Sequence, residues 1–172
     1  MKKLIFALAI ALVIPVMGYS QDDKVLKEGY KGFFEIGNIR DFNDYGADRM
    51  EFTTSHGFQV NQYLFLGVGV GLNYYNDMNV VGIPIFGQFR VTPSEGKITP
   101  YLDAKIGYSE CQVEGFYLSP TIGVRCAVGE KCGIYLGVGY SLQSSNKIYY
   151  RGFIFDERKD VNAWSIKFGV DF

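Results

Sequence analysis

The chain is poor in several features that would point directly to a chemistry. It has one histidine, His56, one tryptophan, three cysteines and five prolines in 172 residues. A single histidine leaves one candidate base for any His-dependent triad. Cys111, Cys126 and Cys132 fit no metal-ligand spacing, and their odd number leaves one thiol over in an oxidising compartment. Neither sign of charge dominates: 17 Lys and Arg stand against 18 Asp and Glu, which gives no electrostatic case for nucleic-acid binding. Beyond residue 17 there is no apolar run of the roughly 20 residues that a membrane-spanning helix needs.

Aromatic residues and glycine are abundant instead: 14 Phe, 13 Tyr and 21 Gly. The apolar material is spread in short pieces broken by glycine. Interior glycine costs a helix about 1 kcal/mol, so this distribution favours strands.

The amino terminus has the three-part layout of a secretory signal peptide. Lys2 and Lys3 precede an uncharged apolar run over residues 4–17, and Gly18-Tyr19-Ser20 places small residues at the minus-three and minus-one positions before Gln21. The run is too short for a bilayer anchor and contains Pro15. No cysteine lies near the cut, which argues against a lipoprotein. The expectation is a cleaved peptide over 1–20 and one mature domain over 21–172, with fifteen basic residues against eighteen acidic ones.

Period-two alternation runs through eight segments of the mature chain, near residues 30–39, 50–60, 63–74, 81–91, 99–109, 115–128, 133–143 and 164–172. The third is the clearest in the body of the chain: Leu64, Leu66, Val68, Val70 and Leu72 share one face, and Gly67, Gly69, Gly71 and Asn73 the other. In the fourth, Phe86 is a large residue on the polar side and Pro84 cannot donate to a ladder. In the last, Trp164, Ile166, Phe168, Val170 and Phe172 alternate with Ser165, Lys167, Gly169 and Asp171. Connections after the second, fourth and sixth segments are short. Those after the first and seventh are long and those after the third and fifth only modest, an asymmetry in the direction of short periplasmic turns and longer outer loops.

Alternation alone does not say which face is outside. A soluble lipocalin-like carrier would turn its apolar face inward around a ligand. However, the polar faces here carry many glycines, tyrosines and serines and few of the charges that water-facing surfaces show. Glycines alternating with long residues such as Arg90, Arg125, Tyr135 and Lys167 suit the narrow lumen of an eight-stranded barrel.

Signal peptide, eight strands and the 164–172 segment together resemble the small porin-like outer-membrane β-barrel proteins of diderm bacteria. The resemblance implies an all-β, eight-stranded antiparallel up-and-down transmembrane barrel in the cell outer membrane. It further implies that Trp164, Ile166, Phe168, Val170 and Phe172 form a carboxy-terminal insertion signal. The partners implied are outer-membrane lipid, lipopolysaccharide and the barrel-assembly machinery. Members of this class are structural barrels, adhesins, weak pores or occasionally lipid-modifying enzymes, so location is better specified than activity.

The expected lumen network is Glu35, Arg90, Asp103, Lys105, Arg125, Lys167 and Asp171, with Lys31 and Glu51 nearer strand ends. Both signs are present and should pair, since an unpaired buried charge is expensive. That favours a plugged interior over a narrow water path for small solutes. His56 falls on the lipid-facing parity while Ser55 points to the lumen, so no Ser–His pair forms and no catalytic residue is assigned. Asp41, Asn43, Asp44 and Asp48 make an oxygen-rich loop, but Phe52 stands where a calcium loop needs its closing carboxylate. No metal or cofactor is expected. Cys126 and Cys132 flank one turn with shared parity, leaving a bridge between them open.

Residues 144–160 are too apolar for an idle surface loop. Tyr149, Tyr150, Phe153 and Phe155 are read as a candidate partner-binding patch, on a hairpin extending the seventh and eighth strands or packed over the barrel mouth. The leading functional expectation is a non-enzymatic envelope barrel with a structural or surface-interaction role through its outer loops, toward an extracellular protein or surface. The alternative is a narrow pore.

Overall fold

The computed structural model describes residues 29–42, 48–76, 79–93, 96–129, 132–145, 147–150, 153–155 and 159–172, with backbone alone over the hairpin segment 145–161. Residues 1–28, where the signal peptide was read, lie outside that set.

Each alternating segment forms a strand: β1 Gly29–Asp41, β2 Arg49–Gln59, β3 Leu64–Tyr75, β4 Val80–Val91, β5 Ile98–Cys111, β6 Val113–Ala127 and β7 Gly133–Ser145. Then come two short strands, β8 Lys147–Tyr150 and β9 Phe153–Phe155, and the closing strand β10 Lys159–Asp171. Every neighbouring pair from β1 to β7 is antiparallel, and β1 pairs with β10, which pairs with β7. Eight strands therefore close on themselves and leave no edge in the wall. The register at closure runs from Phe33 opposite Asp171 to Asp41 opposite Ala163.

The β2–β3, β4–β5 and β6–β7 connections and the Phe172 end of the chain lie at one mouth, called terminal here; the other mouth is distal. At the terminal mouth, Asn61 Oδ1 accepts from the backbone N–H groups of Tyr63 and Leu64, both at 2.9 Å, and tightens the β2–β3 turn as asparagine side chains do. At the distal mouth, β5 and β6 extend further than their alternation suggested, and only Gln112 lies between them. The turn uses a left-handed Cys111 at φ 88°, a conformation that costs a non-glycine residue about 1–2 kcal/mol.

The final strand begins at Lys159, five residues before the expected start, because the β7–β10 ladder continues down to Lys159 opposite Ser145. Above it, β8 and β9 continue the hairpin with Phe155 opposite Ile148. The lower ladder's register would have put Phe155 opposite Tyr149, so the two ladders are offset by one residue. β8 also bonds along β6, with Val113 opposite Ile148 and Glu114 opposite Lys147.

Prolines interrupt the wall in two places. The β3–β4 register skips from Val70–Ile85 to Asn73–Gly82 around Pro84. The β6–β7 register skips from Leu118–Leu142 to Thr121–Gly139 around Pro120. A residue without an N–H cannot supply the rung.

The sides divide as the alternation predicted. Leu66, Val68, Ile85, Leu102, Ile106, Ile122, Leu136, Val138 and Ile166 are exposed on the outer wall, and Val68 is 69% exposed. Tyr74, Tyr108, Phe116, Tyr140 and Trp164 stand on that wall toward the distal end, and Tyr30, Phe58 and Tyr63 toward the terminal end. Glu35, Arg90, Asp103, Lys105 and Lys167 are each under 5% exposed in the lumen. This polarity is the inverse of a lipocalin-like carrier.

Candidate functional site

The interior is a side-chain-filled column with three levels. At the terminal mouth, Arg125 of β6 holds Asp171 of β10 through two parallel bonds, Nε to Oδ1 and Nη2 to Oδ2, both 2.7 Å. Lys31 adds an ion pair to the same carboxylate at 3.1 Å. This bidentate geometry is the strongest that a guanidinium and a carboxylate make.

Above it the Arg90 guanidinium is enclosed by three rings, with Phe33 at 4.2 Å, Tyr135 at 4.4 Å and Tyr101 at 4.5 Å from its central carbon. Each such desolvated contact contributes on the order of 2 kcal/mol. Phe65 packs edge-on against Phe33 and completes the aromatic layer. Arg90 Nε donates to Asp103 Oδ2 at 2.7 Å, and Gln88 Nε2 donates to the same oxygen at 2.5 Å. Ser55 donates in turn to Gln88 Oε1.

The central level joins opposite walls. Lys105 Nζ lies 2.5 Å from Glu35 Oε1 and donates to Thr53 Oγ1 at 2.9 Å. Lys167 Nζ lies 3.3 Å from Glu51 Oε1 and 3.6 Å from Glu35 Oε1, and donates to Ser119 Oγ at 2.7 Å. Tyr117 donates its hydroxyl proton to Glu51 Oε2 at 2.9 Å. The seven lumen residues singled out from the sequence thus lie in the lumen with oppositely charged partners. They form two groups, Arg125–Asp171 below and Glu35, Arg90, Asp103, Lys105 and Lys167 above.

Several interior residues escaped the sequence reading. Phe33 and Phe65 have lumen parity but look like ordinary outward aromatics. Arg49 was placed outside a strand expected to begin at Met50. Its parity with Glu51 and Thr53 was the available signal, and it is fully buried.

On the outer wall, Trp164, Ile166, Phe168 and Val170 are exposed, while the Phe172 ring lies 6.4 Å from the His56 ring. The Phe172 backbone exchanges two hydrogen bonds with Gly32, at 2.8 and 3.0 Å. His56 Nδ1 is bonded to the Tyr30 hydroxyl at 2.6 Å and its Nε2 to Thr54 Oγ1 at 3.2 Å, so both nitrogens are occupied away from Ser55. In the first distal loop, Asp48 takes Arg40 at 3.0 Å and accepts from the Asp41 N–H at 3.0 Å; Asn43 and Asp44 lie outside the described residues. All three cysteines are free thiols, so the Cys126–Cys132 bridge is not formed. Tyr149, Tyr150, Phe153 and Phe155 sit on β8 and β9, their side chains outside the described set.

Solved structures share this architecture. Neisserial surface protein A (NspA) superposes with a TM-score of 0.59 at 15% identity, covering 83% of this chain and 94% of that one. The chain has the fold of the small outer-membrane barrels. A de novo designed transmembrane β-barrel matches at 0.53 and 14% identity, over 88% of this chain and 98% of its own. The N-terminal β-barrel domain of Pseudomonas aeruginosa OprF matches at 0.50 and 14%, over 85% of this chain and all of that one. No family model and no curated protein matches the sequence.

Proposed function

We propose that the protein is an integral barrel of the bacterial outer membrane, non-enzymatic, acting as an envelope component or through contacts made at its distal mouth. The observation that carries this reading is the polarity of the wall. A closed band of exposed aliphatic side chains lies between aromatic and tyrosine-rich ends, around a charged interior. Exposed apolar surface on that scale is untenable in water and fits a lipid environment with interfacial aromatics. In this reading residues 1–20 direct export, the terminal mouth is periplasmic, and Trp164, Ile166, Phe168, Val170 and Phe172 present the strand to the assembly machinery. The distal mouth meets lipopolysaccharide and whatever the β8–β9 hairpin contacts.

The layered interior supports a barrel closed to solutes over a narrow pore, because the Arg90 stack and the Glu35–Lys105 bridge cross the lumen at successive levels. The test is fractionation with gel mobility. The protein should appear in the outer-membrane fraction and migrate differently with and without boiling. Recovery as a soluble periplasmic protein would end the proposal.

A further inference from the structure

The outward stripe of the closing strand is not uniform. Trp164, Ile166, Phe168 and Val170 are exposed, whereas Phe172, nearest the rim, is half-buried. What covers it is the other side of the closing seam. Gly32 of β1 stands opposite His56 of β2 and exchanges two backbone hydrogen bonds with Phe172, so the three residues form one row across three strands. All three have outward parity. Phe34, Ile36 and Asn38, the next outward residues of β1, are exposed, but Gly32 is buried, because the Phe172 ring lies over it.

The fit of that ring is close. A Cβ at Gly32 would fall 2.6 Å from Phe172 Cε2, 2.7 Å from its Cζ and 3.3 Å from His56 Nδ1, so the position tolerates only glycine while the ring is in place. The ring meets the imidazole edge-on, with centres 6.4 Å apart and planes at 68°, an arrangement that aromatic pairs favour. His56 is itself held in place. The Tyr30 hydroxyl bonds Nδ1 at 2.6 Å, Thr54 Oγ1 bonds Nε2 at 3.2 Å, and the Tyr30 ring stacks on the imidazole with centres 6.0 Å apart. The outer wall thus carries a seat for one ring, built by β1 and β2 and filled from β10.

We infer that Gly32 and His56 form a release latch: when the β1–β10 seam closes, they seat the Phe172 ring and withdraw it from the assembly machinery. The inference rests on the reading of residues 164–172 as an insertion signal. Before closure β10 is not paired with β1, and the ring is free for an external receptor. After closure the seat binds it intramolecularly, which gives the seat an effective-concentration advantage over any separate receptor. The seat adds little to a seam already paired from Phe33 to Asp41; its effect is on which partner holds the ring.

The test follows Gly32→Ala in the full chain made in cells. The added methyl meets the far edge of a ring that can rotate away, so the ladder stays and the purified variant should keep heat-modifiable mobility. In a pulse-chase, newly made Gly32→Ala should stay co-isolated with the assembly machinery several-fold longer than wild type, while Phe172→Ala should be captured poorly from the start. His56→Ala removes one wall of the seat without a clash and should also prolong co-isolation, so a folding failure of Gly32→Ala does not leave the question open. A para-fluorophenylalanine in place of Phe172 reports the seat directly. In detergent, a paramagnetic agent in the micelle should broaden its fluorine signal several-fold more in Gly32→Ala than in the otherwise wild-type barrel. Equal broadening, or release of both variants at the wild-type rate, overturns the latch and leaves the signal reading intact. Capture of Phe172→Ala at the wild-type level overturns both.

Discussion

Lys105 and Glu35 stand 70 positions apart in sequence, yet their charged atoms lie 2.5 Å apart, joining β5 to the diametrically opposite β1. The pair is buried, so each charge depends on the other. Glu35→Gln or Lys105→Met alone should destabilise the barrel by roughly 3–5 kcal/mol, because each leaves a buried charge short of compensation. The double variant should recover much of that loss. Denaturant unfolding in lipid vesicles checks it through a double-mutant cycle, and simple additivity would contradict the pairing.

A column closed at several levels should not pass ions. Purified wild-type protein in a planar bilayer should show no discrete openings. Arg90→Ala removes the group enclosed by Phe33, Tyr101 and Tyr135 and leaves Asp103 without its closest cation, so short openings should appear. Discrete wild-type conductance would favour the narrow-pore alternative.

Gly169 is a position where side-chain volume is forbidden by a named neighbour. A Cβ there would fall 2.3 Å from Tyr135 Cζ and 2.6 Å from the Phe34 carbonyl oxygen. Gly169→Ala should therefore push Tyr135 off the Arg90 stack and cost about 1–3 kcal/mol. Gly87→Ala, whose nearest neighbour would be 3.9 Å away, is the control and should be nearly neutral by thermal melting.

The role assigned to the final strand is separable from its contribution to stability. Phe172→Ala keeps the two backbone bonds to Gly32 and loses only a ring at the rim. The folded, heat-modifiable fraction in cells should fall several-fold, whereas purified protein refolded in detergent should melt within a few degrees of wild type. Loss of both to the same extent would make the residue structural and not a sorting element.

Removing residues 147–158 tests the distal hairpin. The β7–β10 ladder is intact down to Ser145 opposite Lys159, so the barrel should keep its heat-modifiable mobility. If the hairpin carries surface contacts, adhesion of whole cells should drop. Unchanged binding would remove it as the contact element.

The wall was legible in the sequence because a two-residue period permits only two faces, and eight repetitions left little freedom in strand number. Lumen parity followed directly: Glu35, Asp103 and Lys167 point where the alternation puts them. Which charges meet was not legible. Partners such as Lys105 and Glu35 lie on opposite walls, and the stagger of eight strands sets their relative height, a quantity no local window contains. Arg49 was missed at a strand boundary, where alternation offers the fewest repeats. Phe33 and Phe65 were missed because an aromatic layer inside a membrane barrel breaks the apolar-out rule that exposed the fold.

Pro84 and Pro120 are on the two outer strands of a three-strand panel, β4–β5–β6, and each breaks the ladder facing away from that panel. The panel is thus continuous within itself but joined to the other five strands by two seams with missing rungs, both in the distal half. Such a wall should yield along those seams before anywhere else. Amide exchange at Leu72 and Tyr140 should outpace that of residues at the same depth on β1 and β10. Any lateral opening of the barrel toward the bilayer would begin there, beside Gly82.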